Sequence, residues 1–474
     1  MPTCEHGYLR PSPSSQRVLP SGADRRHRMS GTARVRGGGL WVATSPCSLA
    51  LPLLCATLLL STVGIAAGEG EGWHRVKEYT DEAAGGGHSP AIRYNHGAVV
   101  VGDEMVVSHG YFYNRETSDP EWLYDTWSIN LAATQPQWTL IATGIPPAKA
   151  YTAYKAGKTP SLPSGRYGVT LSHHRGSLYM FGGTDGGASK HGRTGYEVGY
   201  EMDELWQFEL RTRKWTLVEA RGGYQPTARY LHTAVVLGDS LYVYGGNKDG
   251  AGDVAVLDLR TRRWAQLVDE AAGIAAGPGP RLGHTAAAFE SSAMRGFVVY
   301  GGRRRGASTA KLGGDVWLFD AGASAWAGPL TAVTPGGTPP PAPRVYHAMA
   351  ALPGGSWQGE RSWAALGAVV SLGSVTTPVM SCNTEAWAMW VSANASLVSW
   401  SRLPDLPVGH YHHSLVAHGS AVYGFGGHLC STTKGDHPFY YLNHLEALPV
   451  GGLGPPSLAS LVAVDPEAAQ HDEL

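Results

Sequence analysis

The chain has 474 residues and a formal net charge of -1, so it carries no global field to gather nucleic acid or an acidic membrane surface, and nucleic acid is excluded as a leading partner. Its 63 Gly, 31 Pro, 15 Trp and 22 Tyr describe many short strands joined by tight turns, which is the composition of an all-β chain. Five cysteines without a CxxC pair exclude the close-spaced four-ligand kind of structural zinc site.

Residues 1–68 come first. Arg10, Arg17, Arg25, Arg26, Arg28, Arg34 and Arg36 lie among Ser, Pro and Gly, with Glu5 and Asp24 as acids, and this segment is expected to be a disordered basic leader. The uncharged run from Leu49 to Ala67 follows and ends in small residues. That is the plan of a secretory signal, cleaved near Ala66 or Ala67, and a start at Met29 would give a signal of ordinary length. The run is also long enough to span a bilayer, so an uncleaved signal anchor is the alternative, and the membrane is a partner only in that case. Both readings place the rest of the chain in the lumen.

Residues 70–448 repeat. One element has the spacing Pro, two residues, Arg, two residues, His: Pro90, Arg93 and His96, then Pro226, Arg229 and His232. Tighter copies give Arg281 with His284 and Arg344 with His347. Two copies depart from the pattern, with Val169 three residues after Arg166 and with His410 in place of Arg before His413. Each copy precedes an apolar strand ending in paired glycines, as at Gly182-Gly183, Gly245-Gly246, Gly301-Gly302 and Gly426-Gly427, or in a near relative, Ser108-His109-Gly110 or Leu372-Gly373-Ser374. An acidic and aromatic strand comes next (Asp125 with Trp127, Glu204 with Trp206, Asp253, Asp315 with Trp317, Glu385 with Trp387). A lone Trp then closes the unit at 138, 215, 264, 326 or 400.

This order resembles the kelch repeat, whose unit of about 50 residues forms one four-stranded blade of a β-propeller. The resemblance implies an all-β fold: a six-bladed kelch-type propeller, preceded by a disordered leader and followed by a flexible tail. The sixth unit lacks its own final Trp strand, and Trp73-His74-Arg75-Val76 supplies one from the front, so the N-terminal strand is expected to close the ring. Residues 449–474 form the expected tail, which presents His471, Asp472, Glu473 and Leu474. HDEL at a luminal C-terminus is an address read by a retention receptor, which makes that receptor a partner and the endoplasmic reticulum lumen the location.

The recurring Arg and His are expected to be scaffold, since they stand at equivalent places in most blades. His410, His412 and His413 lie close in sequence, but strand alternation turns His412 from the other two, and no metal site or cofactor is expected. Binding candidates are in the loops, where a rigid frame displays variable side chains. They are Tyr111, Phe112, Tyr113 and Trp122 in blade one, an aromatic set around a polar stretch, and the basic tip Arg303, Arg304 and Arg305 in blade four. Asn394-Ala395-Ser396 is a glycosylation acceptor in a hairpin turn. In an oxidising lumen Cys382 and Cys430, in loops of adjacent blades, are expected to pair if their Cα atoms come within about 7 Å.

The functional expectation is a non-catalytic scaffold for an unidentified luminal protein or glycoprotein, with no catalytic residue assigned. The alternative, implied by galactose-oxidase-like relatives of kelch propellers, is a luminal oxidoreductase or sugar-modifying enzyme using the central pocket. No GxSxG or GxxxxGK[ST] sequence is present to favour other chemistry.

Overall fold

The computed structural model describes residues 72–77, 89–114, 119–186, 201–247, 252–269, 276–304, 311–337, 339–353, 363–375, 382–429 and 442–463. Its strands form six antiparallel four-stranded blades. In blade one the strands are Gly97–Val101, Glu104–Ser108, Asp125–Asn130 and Trp138–Thr143, ordered from the axis outward. Blades two to five repeat this order, and the resemblance to a six-bladed kelch propeller is borne out. Connections from second to third strand, and from fourth strand to the next blade, share one face. The remaining hairpins lie on the other.

Each blade is packed on both sides by its neighbours, so its second strand is apolar throughout rather than alternating. Ser177–Phe181 is buried at every position, as is Gly296 to Tyr300 in blade four. Outer strands bury little beyond the Trp, as in Trp138–Thr143, where Thr139 and Leu140 are exposed. Among the described residues the buried apolar side chains accordingly fall into six clusters, one at each blade-to-blade interface.

The lone Trp of each unit serves those interfaces. Trp264 packs 5.4 Å from Phe181 of the preceding blade, Trp326 4.8 Å from Tyr244, Trp400 4.9 Å from Tyr300 and Trp138 4.9 Å from Phe425. The partner is in each case the aromatic residue just before the glycine pair. Such contacts contribute about 0.5–1.5 kcal/mol beyond their buried area.

The ring closes as the sequence predicts. His74–Lys77 pairs antiparallel with Leu445–Pro449, His74 opposite Ala447 and Arg75 opposite Glu446, and so becomes the outer strand of blade six. Trp73 donates its indole N–H to the Pro404 carbonyl of blade five at 3.1 Å.

Three features were not expected. Pro147–Lys155 is an α-helix in the long connection between blades one and two, and its Tyr154 hydroxyl bonds the Glu204 carboxylate. Thr331–Pro335 runs parallel to Leu397–Leu403 and extends blade five outward. Leu461–Ala463 then pairs antiparallel with Thr331–Pro335, making that sheet six-stranded. The chain beyond Pro449 is therefore docked as far as Ala463 and is not a free tail from residue 449. Leu453 and Leu461 pack on the interface between blades five and six, and Trp363 donates to the Pro456 carbonyl at 3.0 Å. The basic leader, the 49–67 run, Cys430 and His471 to Leu474 lie outside the described residues. Among the described residues no helix is long and apolar enough to cross a membrane.

Candidate functional site

The repeat's polar residues are structural. Arg93 holds Asp125 with two hydrogen bonds of 2.9 and 3.0 Å, and Arg229 holds Asp253 at 3.0 and 2.9 Å. Arg166 pairs with Glu204 at 2.8 Å, Arg281 with Asp315 at 3.2 Å and Arg344 with Glu385 at 2.7 Å. All five guanidinium groups are fully buried. Each also donates to the carbonyl of the first residue of the glycine pair, Gly245 at 3.1 Å from Arg229 for example, or of the residue that replaces it, His109 for Arg93 and Leu372 for Arg344. The acid is shared with the aromatic strand: Trp127, Trp206, Trp317 and Trp387 each donate an indole N–H to the acid two residues earlier. Burial alone would raise these carboxyls, but the facing arginine outweighs it, and Asp125, Glu204, Asp315 and Glu385 all titrate below their ordinary range.

Blade six lacks the pair. His410 replaces Arg, and His444 stands just before the third strand where the other blades place the acid. Burial lowers His410 to about 4 and His444 adds to the effect. The Arg-acid pair is thus exchanged for two histidines, at both positions together.

The repeat histidines bond hydroxyls of the preceding blade: His96 to Ser414 at 2.8 Å, His232 to Thr170 at 3.1 Å, His284 to Thr233 at 3.0 Å and His347 to Thr285 at 2.8 Å. Blade five begins its inner strand with Ala348, which has no hydroxyl, and His413 bonds the cross-strand neighbour Ser371 instead at 2.8 Å.

Between each Arg and His lies a residue in the left-handed region: Asn95, Gly168, Leu231, Gly283, Tyr346 and His412, with φ from 53° to 68°. Their backbones form a closed cycle around the axis. Gly168 N–H donates to Asn95 at 2.8 Å, Leu231 to Gly168 at 3.0 Å, Gly283 to Leu231 at 3.1 Å, Tyr346 to Gly283 at 2.8 Å, His412 to Tyr346 at 2.9 Å and Asn95 to His412 at 3.0 Å. This cycle leaves an axial cavity of about 110 Å³ beside the repeat histidines. Its conformation is costly for bulky side chains, and Leu231, Tyr346 and His412 adopt it nonetheless.

One residue earlier stand Tyr94, Tyr167, Tyr230, Leu282, Val345 and Tyr411. Just beyond the glycine pairs stand Tyr111, Thr184, Asn247, Arg303, Ser374 and His428. These two sets are paired by backbone bridges such as Tyr94 to Tyr111, and they surround the axis on the face of the long connections. The mouth is lopsided. Blades six, one, two and three supply a crescent of rings: Tyr411 lies 5.0 Å from His428, Tyr94 5.2 Å from Tyr111, Tyr111 5.4 Å from Tyr167 and Tyr167 5.7 Å from Tyr230. Blades four and five contribute Leu282, Val345 and the cation Arg303.

The sequence candidates divide accordingly. Tyr111 lies in the crescent. Trp122 contacts it at 5.6 Å but packs over Gly165 and Gly186 of blade two with its indole nitrogen buried, and Phe112 is 4% exposed, so both hold the loop rather than display it. Tyr113 contributes backbone to the strand Tyr111–Asn114. Arg303 faces the mouth, Arg304 is spent on Asp315 at 2.6 Å, and Arg305 lies outside the described residues. Asn394 is exposed on the opposite face, its carbonyl accepting from the Ser396 hydroxyl at 2.7 Å. His412 leaves the other two histidines and lies 3.9 Å from Tyr346, while His410 and His413 face each other at 4.8 Å. Among the described residues no group of three or more His, Cys, Asp or Glu is placed to hold a metal ion. Sequence reasoning missed Tyr94, Tyr167, Tyr230, Tyr346 and Tyr411. Their signal was present, an aromatic residue inside the Arg-to-His spacing of most units.

The blades, the shared Arg-acid pairs and the cyclic backbone bonds define a kelch-repeat propeller. Residues 168–427, more than half of the chain, match the KLHDC2/KLHL20/DRC7 Kelch-repeats domain, and the chain belongs to that family. It is 25% identical over 329 residues to Acyl-CoA-binding domain-containing protein 4 of Arabidopsis thaliana, covering 69% of this chain and 42% of that protein. Host cell factor 2 of Homo sapiens is 27% identical, over 46% of this chain and 27% of its own length. Kelch domain-containing protein 3 of Bos taurus is 27% identical, over 37% and 41% respectively. The chain spans less than half the length of these relatives.

Proposed function

We propose that this protein is a binding scaffold of the endoplasmic reticulum lumen that captures a protein or glycoprotein partner at the axial mouth. The observation that carries the reading is the aromatic crescent. Six aromatic side chains from four blades gather around one opening, half-buried, and each is fixed by its position in the repeat. Tyrosines with rigid frames and one polar end suit protein recognition, since they bring contact area at little entropic cost. The Arg-His machinery below them is spent on holding the ring together, which favours a scaffold over a catalyst.

The location rests on sequence: the 49–67 run delivers the chain to the lumen, or anchors it in the membrane with the propeller luminal, and HDEL engages the retention receptor. Two features agree with an oxidising, glycosylating compartment. Cys382 and Cys430 are the proposed disulfide, and Asn394 is the proposed glycan site, on the face away from the mouth.

The test is affinity capture of the intact protein from crosslinked microsomes, comparing wild type with Tyr111→Ala/Tyr230→Ala. Loss of a near-stoichiometric luminal partner in the variant, with an unchanged melting temperature, supports the reading. A partner retained equally by the variant would refute the mouth as the binding surface.

A further inference from the structure

We infer that the mouth receives a phosphorylated side chain of its protein partner, with the phosphate held by the Arg303 guanidinium and the Tyr167 and Tyr346 hydroxyls. This rests on the mouth being the binding face.

Arg303 is a half-buried cation that makes no ion pair among the described residues. Five buried arginines of the repeat each take an acid, and the adjacent Arg304 takes Asp315. An unpaired guanidinium at a concave opening is a standing invitation to an anion. The Tyr167 and Tyr346 hydroxyls likewise make no hydrogen bond among the described residues, and neither is sealed from solvent. The three side chains stand on one narrow ring: Tyr346 is a member of the backbone cycle, Tyr167 precedes its member Gly168, and Arg303 pairs with Leu282, which precedes its member Gly283. Tyr346 responds to the charge of Arg303, and Tyr167 responds to Tyr346 as well as to Tyr230 and Tyr111. Burial raises both phenols above their ordinary value, so each keeps its proton and can only donate to an anion at neutral pH.

The number and origin of the donors select the anion. They come from blades two, four and five, on different sides of the axis. A carboxylate has two oxygens and is satisfied by the guanidinium fork alone, whereas a phosphate monoester offers three, one toward each donor. The crescent of Tyr94, Tyr111 and Tyr230 would then flank the peptide on either side of the phosphate. Among the described residues Asp185, a buried acid of blade two, opposes the anion, since its charge also acts on the Tyr167 hydroxyl. Its neutralisation should tighten binding.

The experiment is calorimetric titration of the intact protein with inorganic phosphate, O-phosphoserine, glucose 6-phosphate and acetate. Saturable binding of phosphate is expected, O-phosphoserine binding more tightly than glucose 6-phosphate and acetate at least about tenfold more weakly. Arg303→Ala should weaken O-phosphoserine about tenfold or more, Tyr167→Phe and Tyr346→Phe each about threefold to tenfold, while Asp185→Asn strengthens it. Arg304→Ala serves as the unaffected control, and melting temperatures confirm folding. No phosphate binding, equal binding of acetate, or indifference to Arg303→Ala overturns the inference. Preference for glucose 6-phosphate overturns its assignment to a phosphorylated side chain. If phosphate fails to bind while the Tyr111→Ala/Tyr230→Ala variant still loses its luminal partner, the inference falls and the scaffold reading stands.

Discussion

His109 stands where most other blades place the first glycine of the pair, and Val169 stands where the following blade should place the histidine that packs against it. At four interfaces a Cβ on that glycine would meet the next blade's histidine ring at 2.4 to 2.9 Å (Gly182 with His232, Gly245 with His284, Gly301 with His347 and Gly426 with His96). Between blades one and two the imidazole comes instead from the preceding blade. His109 adopts φ 60°, bonds Ser108 at 2.7 Å and meets Trp215 at 6.0 Å. Two departures from the repeat are thus one compensated exchange. Val169→His alone should destabilise the fold by about 1–3 kcal/mol through overpacking, and adding His109→Gly should recover most of it. Urea unfolding of both singles and the double checks this, and strictly additive effects would exclude the exchange.

Arg229→Ala should be among the most damaging single changes. It strands the buried Asp253 carboxylate and frees the Gly245 carbonyl, for a loss of about 3–5 kcal/mol in chemical denaturation. Arg211→Ala, 84% exposed in the turn after the third strand of blade two, should change stability by less than about 0.5 kcal/mol.

The histidine collar predicts acid sensitivity. Burial, then the neighbouring arginines, lowers His96, His109 and His232 from 6.5 to about 3. The folded state therefore binds fewer protons than the unfolded chain between about pH 6.5 and 3. Their stabilisation is complete above pH 6.5 and is lost as pH falls through that window, by up to about 1.4 kcal/mol per pH unit for each histidine. Urea midpoints should be flat from pH 7 to 8 and fall steadily below 6.5. His232→Gln should reduce the slope.

Ring closure depends on both ends of the propeller. A chain starting at residue 85 loses the outer strand of blade six and the Trp73 contact, and should lose cooperative unfolding. Deleting residues 452–463 removes Leu453 and Leu461 from the interface of blades five and six and should cost about 2 kcal/mol. An unchanged melting curve for the first chain contradicts the closure scheme, and for the second it contradicts the stabilising role of the docked C-terminal segment.

Much of this was legible because a propeller repeats its chemistry. The spacing of Arg, His, glycine pair, acid and Trp located every blade, and the missing sixth Trp pointed to Trp73. The glycine pair hid less obvious information: its second member is glycine in all six blades because φ there lies between 90° and 114°, whereas the first, near 60°, admits His109 and Leu372. The helix Pro147–Lys155 carried a signal that passed unread, a proline at its first turn before an Ala-rich stretch. Thr331–Pro335 and Leu461–Ala463 could not be foreseen, since each gains its pairing only from the other and from the outer edge of blade five. The mouth escaped for a different reason. Its residues are far apart in sequence and meet only when the ring closes, while the loop aromatics that looked exposed, Phe112 and Trp122, are consumed by packing.

The central claim is that partners engage the axial mouth. Site-specific photo-crosslinking tests it most directly, with benzoylphenylalanine at Tyr111 in one protein and at Arg211, on the opposite face, in another. The account predicts a discrete luminal-protein adduct from position 111, lost when Arg303 is changed to Ala, and none from position 211. Adducts from position 211 with none from position 111 would contradict it.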